Sequence, residues 1–266
     1  MIKYKSDAEI ELMRESNILL GKLHAEVARH IKPGIKTIEL DKIAEEFIRD
    51  NGAIPAFLNY RGYPNVLCVS VNDVVIHGIP SDYEIKEGDI VSIDSGVILN
   101  GYYSDSAFTY AVGEVTAEIW NLLVATKEAL YLGIEQAKAG NRIGDIGYAI
   151  QTHVEKYGFS VVKEMTGHGI GKNLHEDPYV PNYGRRGTGK KIKPGLTIAI
   201  EPMVNMGRSD IYIEKDGWTV KTIDGKPSAH YELSIAVRKD KVDVLSTFEF
   251  IHKVLDENPY ITAPKF

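Results

Sequence analysis

The chain has 266 residues, 44% hydrophobic and 26% charged, with a formal charge of −6. That is enough apolar material for a sizeable core, and it offers no concentrated basic face of the kind nucleic-acid binding requires. No run reaches the roughly 18 apolar residues of a membrane span, Met1-Ile2-Lys3-Tyr4-Lys5 contains no apolar signal core, and the single cysteine, Cys68, cannot form an internal disulfide. The expectation is a soluble, cytoplasmic monomer without membrane or nucleic-acid partners, in which Arg185-Arg186 and Lys190-Lys191 are solvated loop charges.

In chain order, the first predicted helix starts at Ser6, where Ser6 and Glu9 have the spacing of a capping box. Its apolar residues Ile10, Met13, Leu20, Leu23 and Val27 run towards Pro33-Gly34. A second helix runs from about Thr37 to Gly52, a residue suited to the left-handed cap. The same order returns later: a helix from near Thr116 to Gly140, then one from about Asp145 to Gly158. Lys32-Pro33-Gly34 through Ala44 resembles Lys138-Ala139-Gly140 through Ile150 at a shift of 106, and Lys86-Glu87-Gly88 through Asp94 matches Lys193-Pro194-Gly195 through Glu201 at a shift of 107. Two His-x-x-Pro pieces, starting at His77 and His175, differ by 98 and so require different loop lengths. A duplicated helix-helix-strand unit predicts an α+β fold with internal pseudo-two-fold symmetry around a curved antiparallel sheet. The halves are about 6–112 and 113–239 within one domain of 1–266, and residues 240–266 form a tail expected to pack on it through Phe248, Phe250, Ile251 and Val254.

Asn100-Gly101 is a strong two-residue hairpin signal between Ile90-Val91-Ser92-Ile93-Asp94 and Tyr102 to Phe108. With that turn, Asp94 faces Ala107 and Gly96 faces Asp105, so the two acids project from one face as diagonal neighbours within reach of a shared ion pair. Glu201 ends the equivalent apolar run in the second half. Thr166-Gly167-His168-Gly169 has a histidine between glycines that permit close backbone approach. In Ala229 to Val237, alternation places Glu232 with His230 and Ser234, opposite the apolar set. Acids at the ends of buried strands are costly unless a cation compensates them, and two Asp, two Glu and one His suit two hard or borderline divalent metals.

These residues, with Tyr60-Arg61-Gly62-Tyr63-Pro64, Cys68-Val69-Ser70-Val71-Asn72, His77-Gly78-Ile79-Pro80, Gly88-Asp89-Ile90-Val91, His175-Glu176-Asp177-Pro178 and Glu201-Pro202, resemble the type I methionine aminopeptidases, metallopeptidases of the pita-bread fold. The resemblance extends from about Ser6 to Lys239. It implies five metal ligands, Asp94, Asp105, His168, Glu201 and Glu232, with Asp105 and Glu232 bridging two divalent ions that could be Co, Mn, Fe or Zn. The implied reaction is release of the initiator methionine from nascent polypeptides whose second residue is small. Glu201 would carry the water proton to the leaving amine, His175 would donate to the carbonyl oxygen and His77 would contact the amide nitrogen or second residue. By family position Tyr60, Tyr63, Cys68 and Trp218 line the methionine pocket beside His77 and His175. Phe57, Arg61 and Leu174 depart from many relatives in that pocket. Ribosome association follows as an expectation from the role. Two alternatives compete: an Xaa-Pro peptidase of the same fold, and a non-catalytic pita-bread binding module. Short spacings from Asp105 to His168 and from His168 to Glu201 favour type I over type II.

Overall fold

In the computed structural model, which describes residues 1–266, five helices pack against one large antiparallel sheet and two small ones. Helix α1 (Asp7–His30) starts at the predicted cap: Ser6 accepts from the Glu9 amide and the Glu9 carboxylate accepts from the Ser6 amide. Ile10, Met13, Leu20, Leu23 and Val27 are all buried, so the apolar stripe covers the sheet as its spacing requires. Helix α2 (Thr37–Asp50) is followed by Gly52 at φ 68°. In the second half, α3 (Ala117–Gln136) is capped by Thr116, and α4 (Ile143–Lys156) is followed by Gly158 at φ 81°.

The repeat is visible in hydrogen bonds as well as in sequence. Gly34 N–H donates to the Ile85 carbonyl and Gly140 N–H to the Ile192 carbonyl; Thr37 N–H donates to Tyr83 and Ile143 N–H to Lys190. The first turns of α2 and α4 each fold a side chain back, Glu39 onto the Lys36 amide at 2.9 Å and Asp145 onto the Arg142 amide at 2.8 Å. Helix α3 stops at Gln136, short of the Gly140 predicted for it. Ala137 leaves the helical region, and Gly140, at φ 101°, belongs to the turn that repeats the one at Gly34.

The large sheet runs in the order Ile54–Pro55, Ile90–Leu99, Tyr102–Val112, Glu232–Val237, Thr197–Ile200, Thr166–Gly169, Glu176–Pro181, with Leu67–Val71 also paired to Ile90–Leu99. The hairpin register is the predicted one: Leu99 faces Tyr102, Gly96 faces Asp105 and Asp94 faces Ala107. Asn100 and Gly101 have φ of 54° and 77°, the pair of positive values that a type I′ turn demands. One hydrophobic cluster joins residues of both halves, including Leu20 and Leu23 of α1, Leu122 and Leu130 of α3, and Ile93, Phe108, Ile200 and Leu233 of the sheet. The tail adds α5 (Glu249–Glu257), which buries Phe248, Ile251 and Val254 in this cluster, with Phe250 packed at its edge. Asn258 donates to the Ala28 and Ile31 carbonyls at 2.9 Å each, satisfying the end of α1.

The late strand departs from the expectation. It is two strands, Ser228–His230 and Glu232–Val237, interrupted at Tyr231. The first pairs with Met203–Asn205 in a small sheet and the second joins the large one. Every residue from Ser228 to Val237 is buried, so both faces of the two strands are covered.

Candidate metal centre and pocket

Two of the acids are held by the hairpin, one on each strand, and Glu232 joins them because it pairs with Ala107, two residues from Asp105. Hydroxyls clamp the backbones between them: Ser234 Oγ donates to the Asp105 carbonyl and Ser106 Oγ to the Glu232 carbonyl, both at 2.9 Å. Glu201 lies just past Thr197–Ile200, and its carbonyl accepts from Asn182 Nδ2 at 3.0 Å. The glycines around His168 are needed for strand packing. A Cβ on Gly167 would lie 2.5 Å from the Ala199 carbonyl oxygen, and one on Gly169 2.2 Å from that of Asp177. Gly96, opposite Asp105, is equally confined, with an added Cβ 2.7 Å from the Ser104 oxygen. Gly96→Ala is therefore expected to lower the melting temperature by about 2–8 °C, from about 1–3 kcal/mol of overpacking. A calorimetric scan matching the parent would show that the hairpin opens at no cost.

The structure brings the predicted polar residues together. Donor atoms of Asp105, His168 and Glu232 all lie within 4.8 Å of one another, and His168 Nε2 is 3.6 Å from Asp105 Oδ2 and 3.4 Å from Glu201 Oε1. Asp94 Oδ1, Asp105 Oδ1, Glu201 Oε1 and Glu232 Oε1 are buried with no hydrogen-bond partner. No lysine or arginine forms an ion pair with any of these four acids. Burial pushes the Asp105 carboxyl up to about 8. Burial, followed by the neighbouring acids, raises Asp94, Glu201 and Glu232 well above the usual carboxylate range. Four desolvated acids with orphaned oxygens are unfavourable alone and are compensated by cations, so the donor set fits divalent metal.

His168 fits the same purpose. Its Nδ1 lies 2.9 Å from the Gly169 carbonyl oxygen, which can only accept, so the proton is on Nδ1 and Nε2 turns a lone pair to the acids. Burial lowers its pKa to about 4, which keeps the ring neutral near pH 7.

The cavity beside this cluster is about 160 Å³ and includes every predicted site residue. Its apolar wall is Phe57, Tyr63, Cys68 and Leu174, all buried, with Tyr60 and Trp218 partly so. Tyr63 is anchored by its hydroxyl, which donates to the Leu67 and Gly78 carbonyls at 2.8 and 3.1 Å. Burial, and then the nearby Asp94, drive the Cys68 thiol well above its ordinary pKa, leaving a neutral, soft surface. His77 has φ 58° and stands edge-on to Trp218 at 6.1 Å. Such a backbone is strained for a residue with a side chain, and it occurs where the chain turns His77 into the cavity. The two His-x-x-Pro pieces thus deliver both histidines to one cavity by different backbones. His175 stands at the open side, its ring 4.2 Å from that of His168.

Two supports of the site lack any sequence signal. Tyr60 Oη lies 2.8 Å from His175 Nδ1. Lys5 and Glu176 form an ion pair at 2.5 Å with side chains only 6% and 4% exposed, tying the chain beside His175 to the segment ahead of α1.

With this geometry in view, the comparisons with known proteins are specific. The sequence pattern of metallopeptidase family M24 matches residues 11–239. The chain is 49% identical over 246 residues to methionine aminopeptidase 1 of Bacillus subtilis (strain 168), covering 92% of this chain and 99% of that protein. The crystal structure of methionine aminopeptidase from Rickettsia prowazekii superposes with a TM-score of 0.89 at 44% identity, covering 93% of this chain and all, 100%, of that one. A prolidase from Pyrococcus horikoshii OT3 shares the fold, with a TM-score of 0.76 at 24% identity over 92% of this chain and 64% of its own. The architecture is therefore the pita-bread fold, and the chain belongs to metallopeptidase family M24, within its methionine aminopeptidase group.

Proposed function

We propose that this chain is a type I methionine aminopeptidase that removes the initiator methionine from new polypeptides in the cytoplasm when the second residue is small. The observation that carries the reading is the buried set of four acids and His168 opening onto an apolar cavity. Asp94, Asp105, His168, Glu201 and Glu232 would hold two divalent ions. When bound, such ions supply Lewis-acid polarisation and lower the pKa of water. The protein's own groups do the rest. Phe57, Tyr63, Cys68, Leu174 and Trp218 receive the methionine side chain and exclude water from it. Glu201, the acid whose backbone Asn182 fixes, takes a proton from the attacking water and returns it to the leaving amine. His175 donates to the oxygen of the scissile carbonyl, and His77 lies where the amide nitrogen leaves.

The direct test is divalent-metal-dependent release of methionine from Met-Ala-Ser, with an Ala-Pro peptide as control. Release from Ala-Pro alone would favour the Xaa-Pro reading. Elemental analysis finding no bound metal in the purified protein would revive the binding-module reading.

Metal entry must displace protons. Burial raises the carboxyls of all four acids, Asp105 to about 8, so without metal Asp105 holds its proton at neutrality and loses it as the pH rises through about 8. Affinity for Mn or Zn is therefore expected to strengthen between pH 6 and 8, with proton release in calorimetric titrations run in buffers of different ionisation enthalpy. A pH-independent affinity with no proton release would contradict the assignment of these acids.

His175→Ala is expected to lower kcat about 10-fold or somewhat more, below the ~10²–10³ of a fully enclosed oxyanion donor because the ring is exposed and water can replace it. Metal content should stay at the parent's value. Loss of metal in this variant would move His175 into the ligand set.

A further inference from the structure

Two histidine rings stand side by side in the site and their Nδ1 atoms have opposite kinds of partner. His168 Nδ1 faces the Gly169 carbonyl oxygen at 2.9 Å and His175 Nδ1 faces the Tyr60 hydroxyl at 2.8 Å. A carbonyl can only accept, so His168 carries its proton on Nδ1 and offers a lone pair at Nε2. A phenol can donate or accept, but its oxygen lone pair is conjugated with the ring and makes a weak acceptor, whereas an unprotonated imidazole nitrogen is a strong one. The favoured bond therefore runs from Tyr60 Oη–H to His175 Nδ1, which places the His175 proton on Nε2.

We propose that Tyr60 is a positioning residue for catalysis, holding His175 in the Nε2–H tautomer and orientation while its ring lines the cavity. This rests on the reading of His175 as the donor to the scissile carbonyl, because only a protonated Nε2 can donate there. The opposite tautomer would present a lone pair to the carbonyl oxygen and repel it. The surroundings of Tyr60 are built for a fixed hydroxyl. Its ring lies against the His175 ring, centroids 5.3 Å apart and 29° from parallel. The Arg61 guanidinium covers it at 5.4 Å. The turn that carries it closes through Tyr63 N–H to the Tyr60 carbonyl at 3.0 Å and Asn59 N–H to the Tyr63 carbonyl at 2.8 Å. Asn59, Arg61 and Gly62 all have positive φ, 64°, 50° and 89°, so the backbone at Tyr60 has little freedom to shift.

The experiment is nitrogen-15 NMR of histidine-labelled, zinc-loaded protein, with the His175 signals assigned by their loss in His175→Ala. The parent should show His175 protonated at Nε2, with Nδ1 displaced by an accepted hydrogen bond. In Tyr60→Phe the Nδ1 signal should move towards that of an unbonded ring nitrogen. A parent His175 protonated at Nδ1 overturns the proposal, and this readout holds whatever the substrate. Kinetically, Tyr60→Phe should lower kcat about 2- to 10-fold, the worth of one neutral hydrogen bond, with KM little changed. Tyr60→Phe combined with His175→Ala should match His175→Ala alone. Additive losses in the double variant would show that the hydroxyl acts apart from His175 and would overturn the proposal. If the parent releases no methionine, the proposed function fails, and the tautomer result still stands as a separate finding.

Discussion

Glu201→Gln is expected to reduce kcat on Met-Ala-Ser by about 10²-fold or more, within the range that general acid–base groups contribute. The substitution preserves size and shape but removes the charge and the basic oxygen proposed to take the water proton. Glu201 lies just beyond Thr197–Ile200 with Oε1 unpaired except for the approach of His168 Nε2 at 3.4 Å. A glutamine there can turn its NH2 towards His168 Nε2, a lone pair, and fold normally. The variant should therefore melt no lower than the parent without metal, since it replaces a desolvated acid with a neutral group. It should also bind metal more weakly, because one negative ligand is gone. Steady-state kinetics at saturating Mn or Zn separate the two losses: metal saturation can restore occupancy but not the proton acceptor. Activity within a few-fold of the parent under those conditions would remove Glu201 from the reaction.

Much of this site was legible in the sequence because its geometry follows from parity and repetition. A two-residue Asn-Gly turn determines which residues face each other along both strands, so the placement of Asp94 and Asp105 depended only on the turn being where it was expected. The 106–107 residue repeat located Glu201 as the counterpart of Asp94, and the same shift reappears in the paired turn hydrogen bonds at Gly34 and Gly140. His168 between glycines was legible as close packing, although which backbones the glycines admit, those at Ala199 and Asp177, required the structure. Assigning the two histidines at 77 and 175 to one cavity came from the family resemblance rather than from spacing, since their backbones differ.

What the sequence concealed has a common physical character. The Tyr60–His175 bond joins residues 115 apart and the Lys5–Glu176 pair residues 171 apart, each between side chains with no periodicity or motif in common. His24 is similar: a buried ring on α1 whose Nε2 meets the Ser106 carbonyl at 2.9 Å, next to Asp105, and which burial holds at a pKa of about 4. Long-range polar contacts of this kind depend on the packing of whole elements, which local propensity does not encode. The interruption at Tyr231 was hidden for a different reason. Alternation persisted through it, Tyr231 fills the core under Phe108 with its hydroxyl on the Thr109 carbonyl, and nothing in the residue pattern marks the change of sheet.

The buried Lys5–Glu176 pair connects this packing to chemistry. Glu176 follows His175 directly, and its other oxygen accepts from the Asn173 amide at 3.3 Å, so one carboxylate braces both sides of the loop that presents the histidine. A buried pair contributes little net stability when intact but is costly to break from one side. Its effect is to restrict where His175 can stand, which matters for a residue on the exposed side of the cavity.

On the proposed function the cavity's shape also selects the second residue of the substrate, and here the expected effect is again large. Met-Ala-Ser is expected to exceed Met-Lys-Ser in kcat/KM by about 10²-fold, because a displacement of about 1 Å at the scissile carbonyl costs that much in rate. On that reading, methionine is seated among Tyr63, Cys68 and Trp218, and the next residue meets His77, Tyr60 and His175, which line the same cavity. His77 cannot easily yield: its backbone is held at φ 58°, and Gly78 after it is packed so closely that a Cβ would lie 2.2 Å from the Val69 carbonyl oxygen. Tyr60 is held by His175 and Arg61. Gly, Ala or Ser is expected to be accepted between these rings, while Lys, Arg or Leu is expected to push the carbonyl away from His175 and the leaving nitrogen away from His77. The comparison is run at one metal concentration with both peptides, and His77→Ala supplies the second arm. Opening that side should narrow the Met-Ala-Ser to Met-Lys-Ser ratio even as the rate on both falls. Equal kcat/KM for the two peptides in the parent would remove the case for initiator-methionine processing, even with peptidase activity and metal dependence confirmed.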